Sequence, residues 1–425
     1  MANVAALPRF ATHHAYRIAW GAALVFYFFE YVARSAPAVM IPELSSAYAV
    51  DAVGISAILG AYYYTYSITS LLAGAALDRF GARFPVALGA ALLGVGCLIF
   101  ILPVSASGFA GRLLQGAGSA FAFTGAVFLA THGFSGRVLA TAVGFTQCFG
   151  MLGGSAGQIA VGPLVHGLLD WRGFWVALGL ACFAVAAILF VSTPTEPAAP
   201  TEPRSFLAPF KIVFSNPQSY LCGLVAGLLF APTTIGDMTW GVALLQQDRD
   251  YGYLQAVGIA AMCPLGWAVG CPLLGSLADL VGRRKVVLIG GMAVMLAAVL
   301  VTGYSGNATV AYIGAFVLGV GSGAAMIPYT IIKEANPDQV KGSATGVINF
   351  ITFSVTAAIG PAFAMLIGKT LASTDDHEAH FQHAAWFWAA AIVLAILVSL
   401  MLRETGSRAT RKAPQGEMSP SGVGF

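Results

Sequence analysis

Apolar residues in this chain fall into long runs, and polar residues into the short breaks between them. Twelve such runs can be read, at about 18–41, 54–77, 84–103, 108–131, 138–165, 171–192, 219–245, 253–277, 286–304, 309–332, 342–368 and 382–402. Each approaches or exceeds the roughly 20 residues that a helix needs to cross a bilayer. The prediction is helices throughout, since a helix satisfies its backbone N–H and C=O groups internally where no water can. The first run follows Arg9 and Arg17, and Ala33, Arg34, Ser35 and Ala36 faintly imitate a cleavage region. Apolar sequence continues past that point, so the run reads as a retained first helix.

Composition agrees and excludes several classes. Of 425 residues, 58% are hydrophobic and only 9% charged, against about 25% charged in soluble domains. The mean hydropathy is +0.80. A soluble globule of this make-up would expose large apolar areas, which rules out a cytosolic enzyme. No G-x-x-x-x-G-K-[ST] loop is present to support ATP-driven transport. The seven histidines lie mostly in tails and loops, where no nucleophile, base and orienting acid can be assembled. No basic patch supports nucleic-acid binding. Cys97, Cys148, Cys182, Cys222, Cys263 and Cys271 all sit inside apolar runs without a C-x-x-C pair. Disulfides and a zinc site are therefore not expected, nor is any cofactor.

The distribution of charge gives orientation. An even number of spans puts both termini on one side. Sixteen basic residues then share the terminal side, from Arg9 to Lys412, while Arg172, Arg249 and Lys369 lie on the other. The positive-inside rule makes the terminal side cytoplasmic, in a bacterial-type inner membrane. The remaining two basic residues, Arg34 and Arg112, fall within spans.

The chain also repeats. Residues 193–204 (TPTEPAAPTEPR) form a proline-spaced polar tract between the sixth and seventh runs, of the kind that makes an extended linker. This divides the chain into a six-helix unit at 1–192, a cytoplasmic linker at 193–218, a second unit at 219–403 and a tail at 404–425. Gly74, Asp78, Gly81 and Arg83 recur as Gly275, Asp279, Gly282 and Arg283–Lys285, and Gly116 and Gly118 recur as Gly319 and Gly321. Gln147 corresponds to Asn349, and Gly162–Pro163 to Gly360–Pro361. Matches at nearly one offset point to a duplicated unit.

In these motifs the chain resembles the major facilitator superfamily over essentially its whole length. The G-x-x-x-D-x-x-G-x-[RK] pattern after the second and eighth runs carries the resemblance most strongly. The stretch Arg112–Gly118 is similar to the family's helix-four motif, and Tyr27 through Pro42 looks like its organic-anion and sugar-phosphate branches. The fold implied is all-α, with twelve transmembrane helices in two pseudo-symmetric bundles, working as a monomer. The resemblance implies that the arginine in the first helix holds an anionic substrate. It also implies that Gly74, Asp78, Gly81 and Arg83, with Gly275, Asp279, Gly282 and Arg283, serve a cytoplasmic gate; topology anchoring alone is the alternative. One departure counts against phosphate exchange: the helix-seven position that carries a second arginine in such relatives is Gly236, beside Asp237.

A charge at membrane depth costs at least ~2.5–3.5 kcal/mol and wants a partner or a wet cavity. Glu30, Arg34, Arg112 and Asp237 are in that position. Glu30 and Arg34 stand four residues apart on one helix face. They either pair to fix packing or form a site in which Arg34 forks onto a carboxylate. Glu30 and Asp237 are the proton-coupling candidates, because burial and a neighbouring cation pull a carboxyl in opposite directions. Asp237 could equally be a solvated cavity wall. Helical spacing adds Tyr62, Tyr66, Gln147, Trp240 and Asn349 as lining residues, each also able to serve as an interhelical hydrogen bond. His377, His380 and His383 could reach one ion if helical, though a solvated loop outside the bundle is the plainer reading.

Together these features predict a proton-coupled secondary transporter taking up a small organic anion or zwitterion, with protons, the substrate and membrane lipid as its partners. Proton-driven efflux of a drug or metabolite, uptake of an amino acid or an iron chelate such as a siderophore, and a transporter-like sensor are the alternatives.

Overall fold

The computed structural model describes residues 9–134, 136–195, 208–337, 340–373 and 377–406. Within these the chain is helical, with no strand among the described residues. Twelve long helices follow the hydrophobic runs. They are α1 (Arg9–Ser35), α2 (Ala52–Phe80), α3 (Arg83–Phe100), α4 (Ser105–Gly133), α5 (Gly136–Ile159) and α6 (Trp171–Ser192). The second set comprises α7 (Pro217–Ala231), α8 (Tyr253–Val281), α9 (Arg284–Tyr304), α10 (Ala308–Glu334), α11 (Lys341–Ser373) and α12 (His377–Leu400). Ten helices are long and apolar enough to span by themselves, and α1 makes an eleventh together with its bent continuation. The remaining one, α2, has ample length at 29 residues. Its apolar character is diluted by Tyr62, Tyr63, Tyr64 and Tyr66, which matter below.

Proline chemistry sets the departures from straight helices. After α1 a single 3₁₀ turn with Pro37 leads into Ile41–Tyr48, which starts with Pro42 and is bent by 79°. Proline lacks the N–H that would continue the ladder. In α7, Pro232 opens a π-helical turn over Pro232–Asp237, and the helix resumes at Gly241–Arg249. The hydroxyls of Thr233 and Thr234 donate back to the Phe230 carbonyl at 2.9 and 2.8 Å, satisfying an acceptor at the break. Side-chain caps start several helices, with Asp51, Asp170, Asn216 and Asn307 each accepting from backbone N–H groups.

The duplication seen in the sequence has matching packing roles. A Cβ on Gly116 would lie 2.0 Å from the Tyr62 carbonyl of α2, and one on Gly319 would lie 2.0 Å from the Cys263 carbonyl of α8. Gly118 faces the Gly89 carbonyl of α3, as Gly321 faces that of Gly291 in α9. With no hydrophobic drive between helices in lipid, such small residues give the close approach that holds bundles together.

The halves meet along two seams, α2 against α11 and α5 against α8. In the first, Ser67 donates to the Phe350 carbonyl at 2.7 Å and Ser56 to the Gly360 carbonyl at 3.4 Å. In the second, Ser155 donates to the Ala261 carbonyl at 2.5 Å. Near the end away from the termini, the Tyr253 hydroxyl donates to the Val39 carbonyl at 3.1 Å. All six cysteines are free thiols, four of them buried.

One feature differs from the sequence expectation. The histidine-bearing segment belongs to α12 and not to a loop outside the bundle. There His380 is buried and its Nδ1 lies 2.6 Å from Asp248 Oδ2, while His383 bonds to the carbonyl of Ala379 in its own helix. The side chain of His377 lies outside the described residues, as do residues 1–8, 196–207 and 407–425. Among the described residues no three metal-ligating side chains converge.

Candidate functional site

The bend after α1 and the tyrosine-rich turn of α2 bring the intramembrane charges to the seam. Arg34 ion-pairs with Glu30 one turn earlier, and Tyr62 of α2 donates its hydroxyl to the same carboxylate oxygen. Glu30 is 0% and Arg34 2% exposed. Aromatic rings enclose the guanidinium: Tyr31 at 4.4 Å, Tyr66 at 5.0 Å, Tyr62 at 5.4 Å and Tyr63 at 5.9 Å. A fifth ring, Phe353 at 5.2 Å, comes from α11 of the other half. Each such contact at a desolvated site contributes on the order of 1–2 kcal/mol.

The pairing is incomplete. Arg34 Nε and Nη1 and Glu30 Oε2 are buried without a hydrogen-bond partner among the described residues. Buried polar groups are nearly always satisfied, so two donor atoms and one acceptor here leave hydrogen-bonding capacity unmet at the centre of the cage.

Arg112 has a different environment. Its donors reach the Ala33 carbonyl at 3.0 Å, Gln115 Oε1 at 2.7 Å and the Leu59 carbonyl at 3.3 Å, and its guanidinium lies 4.7 Å from the Tyr62 ring. It ties α4 to α1 and α2 behind the tyrosine that touches Glu30. Gln147 accepts from the Tyr27 hydroxyl at 3.2 Å, and Tyr27 packs edge-on against Tyr31. Across the seam Asn349 accepts from Tyr329 at 2.6 Å, and Phe230 bridges Tyr329 and Phe353. Tyr62 and Tyr66 thus gather directly about Arg34 and Glu30, with Arg112 behind Tyr62. Gln147 and Asn349 stand one aromatic ring or more further out. Trp240 is buried, and its Nε1 has no partner among the described residues.

Asp237 lies elsewhere. It lines a cavity of about 110 Å³ whose walls come only from the second half: α7 and its continuation, α8, α9, α10 and α12. Its Oδ2 has no hydrogen-bond partner among the described residues, and the Cys263 thiol is its polar neighbour. Arg34 is thus buried in the seam against its partner Glu30, whereas Asp237 adjoins open space.

The loop motifs pair within their own halves. Asp279 and Glu334 flank Arg284, and Glu404 accepts from the backbone N–H groups of Arg284 and Lys285. Arg283 precedes α9 at its N-terminal boundary without a side-chain cap bond and is exposed. Arg83 donates to the Phe190 carbonyl at 2.8 Å and to Thr195 at 2.6 Å. Gly81 and Gly282 take φ of 68° and 67°, where glycine is the favoured residue. Gly74 and Gly275 lie within helices beside open space. The side chain of Asp78 lies outside the described residues.

Sequence reasoning did not find Tyr31, Tyr63 and Phe353 in the cage, nor Tyr329 beyond it. Tyr31 was in reach, since it precedes Arg34 by three positions on the same face. Phe353 was not, because no local spacing reports a contact across the halves.

A profile of the Major Facilitator Superfamily matches residues 23–361. A D-xylose transporter of Levilactobacillus brevis is 25% identical over 183 residues, 42% of this chain and 36% of that protein. The multidrug resistance protein MdtL of Salmonella heidelberg (strain SL476) is 24% identical over 196 residues, 46% of this chain and 47% of that protein. The matches thus span less than half the length of these relatives. Among solved structures, a bacterial homologue of the human lysosomal transporter Spinster, inward-facing and unoccupied, superposes with a TM-score of 0.66 at 14% identity, covering 91% of this chain and 95% of that one. Its occupied form gives 0.65 at 13% identity, covering 90% and 94%. At such identities the likeness is one of fold.

Proposed function

This chain belongs to the Major Facilitator Superfamily, and on that premise we propose that it is a proton-coupled uptake transporter for a small organic anion or zwitterion. The observation that carries the reading is the half-engaged guanidinium of Arg34 inside an aromatic cage on the seam between halves: Glu30 holds Nη2, the nitrogen shared by both of its paired-donor edges, while Nε and Nη1 lack partners among the described residues. A guanidinium presents paired donors in the spacing of a carboxylate's two oxygens. Glu30 now fills part of that role. Protonating Glu30 neutralises the competitor and frees Arg34 for the cargo's own negative group, so that proton and anion bind together. Tyr62 bridges the two by holding the Glu30 oxygen. As the bundles rock, the seams at α2–α11 and α5–α8 open alternately, and the same cage faces each side. In this reading the termini are cytoplasmic, the membrane is the inner one, and the monomer is the working unit.

The rings support a second reading, proton-driven export of an aromatic anion, since five rings offer stacking as well as charge. Accumulation on overexpression distinguishes the two, rising for import and falling for export.

The test is a thermal-shift screen of the purified protein against monocarboxylates, dicarboxylates and amino acids. A stabilising compound is expected whose effect disappears in Arg34→Ala and persists in Ile68→Ala, on the exposed face of α2. A hit that survives Arg34→Ala removes the site from the account.

A further inference from the structure

The two halves differ where their symmetry predicts likeness. At the offset of 203 that relates Gly116 to Gly319, residues Arg112 and Gln115 of α4 correspond to Ala315 and Leu318 of α10. At the offset of 201 that relates Asp78 to Asp279, Tyr62 corresponds to Cys263. In the first half these three large side chains fill the bundle and hydrogen-bond within it. In the second half their counterparts are small or apolar, and space opens where the polar plug would be. Ala315 and Leu318 line that cavity, together with Asp237, and Cys263 neighbours its carboxyl.

The cavity has a direction. Asp237 forms its inner part, while Arg249, Tyr251 and Ser305 lie at the end away from the chain termini, about 18 Å further along the helix. At that end the Tyr251 hydroxyl donates to the Gly306 carbonyl at 2.9 Å, and Arg249 donates to that of Gly303. A volume of about 110 Å³ accepts roughly three or four waters at ~30 Å³ each. It falls short of the roughly 300 Å³ at which sites for drug-sized molecules begin.

We propose that this cavity is a proton vestibule, through which Asp237 exchanges its proton with the outer solution separately from the chamber around Arg34. The inference rests on the coupled-transport reading and adds a route to it. A carboxyl oxygen with no partner among the described residues, walled mostly by apolar residues and reached by space that admits a few waters, is chemically suited to carry a proton. The titratable or charged groups lining it are Asp237 itself, with Arg249 and Tyr251 at the mouth, and Cys263 of α8 stands behind the lining beside the Asp237 carboxyl. From α9 and α12 come Thr302 and Trp388, and α10 supplies only apolar residues. Asp248 and His380 stand next in sequence to the lining residues Arg249 and Phe381 and face each other.

The test uses the full-length chain with its six cysteines replaced by serine and one thiol placed in the cavity wall by Ala315→Cys, in intact cells and in inverted membrane vesicles. Silver ion, a thiol-binding cation of water dimensions, is expected to modify that thiol from the face that carries residues 250–252. Ser305→Trp at the mouth should slow that reaction at least tenfold, and Ile68→Trp on the exposed face of α2 should not. No modification from that face, or equal rates with and without Ser305→Trp, overturns the vestibule while leaving Arg34 untouched. Proton traffic is read in proteoliposomes as the dependence of carboxylate uptake on pH at that face, which Asp237→Asn should reduce severalfold while the cargo binding set by Glu30 keeps its own pH dependence. A response in Asp237→Asn equal to the parent's overturns the route alone, whereas uptake in the parent protein that ignores pH overturns the coupled reading as well.

Discussion

Arg34 and Phe353 come from opposite halves of the chain, and the guanidinium of one lies 5.2 Å from the ring of the other. A contact of this kind ends whenever the halves part. The cage around the charge is complete only while the seam is closed, so opening the seam hydrates the charge. Phe353→Ala is accordingly expected to favour open forms: cysteine pairs placed across the α2–α11 seam should cross-link more slowly than in the parent. Unchanged cross-linking would assign Phe353 to packing alone.

Arg34→Lys tests the fork. Lysine keeps the charge but presents a point donor where arginine presents two parallel ones. Apparent affinity for the anionic cargo should fall roughly tenfold or more, about 1.4 kcal/mol, measured by titrating uptake against cargo concentration. An unchanged affinity would mean that charge alone suffices and that the open Nε and Nη1 have no role.

Glu30→Gln tests the coupling and its sign. Protonation of Glu30 releases Arg34, so in the parent protein cargo binds more tightly as pH falls. Glutamine imitates the neutral acid at every pH. Cargo binding by Glu30→Gln should therefore be tight and flat across neutral pH, and accumulation against a gradient should fail. A pH dependence that survives in Glu30→Gln contradicts the assignment of Glu30.

Arg112→Leu should act on stability before transport. The substitution strands Gln115 Oε1 and the Ala33 carbonyl, for which Pro37 offers no helical N–H, and takes a second donor from the Leu59 carbonyl. Unmet buried groups cost about 1–3 kcal/mol each before relaxation. A clear fall in thermal midpoint in detergent is expected, by several degrees. If the midpoint holds and only uptake is lost, Arg112 touches the cargo directly.

Gly116→Val and Gly319→Val should damage folding alike, because each added side chain meets a backbone carbonyl that cannot move aside. A loss of about 1–3 kcal/mol or more is the usual result of overpacking. Gly60→Val, where nothing lies within 4 Å, is the control. Folded yield by size-exclusion profile decides it, and a benign Gly319→Val beside a damaging Gly116→Val would break the equivalence of the halves.

Much of this fold was readable because bilayer physics is one-dimensional. Twelve apolar runs, a proline-spaced tract and two loop motifs gave the helices, their grouping and the repeat. Glu30 and Arg34 were readable as a pair because four residues make one helical turn. Less regular was α7, where Pro232 and two threonines replace an α-turn with a π-turn that hydropathy does not register. His380 was misplaced because a polar stretch beside a span looks like a loop, whereas Asp248 across the bundle gives it a buried partner. The cavity at Asp237 was invisible for the same reason: it is made by what Ala315 and Leu318 fail to fill, and an unfilled space leaves no mark until the helices are packed.

The most direct measurement is uptake of carboxylates into proteoliposomes under an imposed pH gradient, followed with a pH dye on the acidic outer side. The account predicts that at least one small carboxylate accumulates above its outside concentration, that the outside grows more alkaline as it enters, and that Arg34→Ala abolishes both signals. Entry of that carboxylate at the same rate and to the same level with and without the gradient, or in Arg34→Ala, would contradict it.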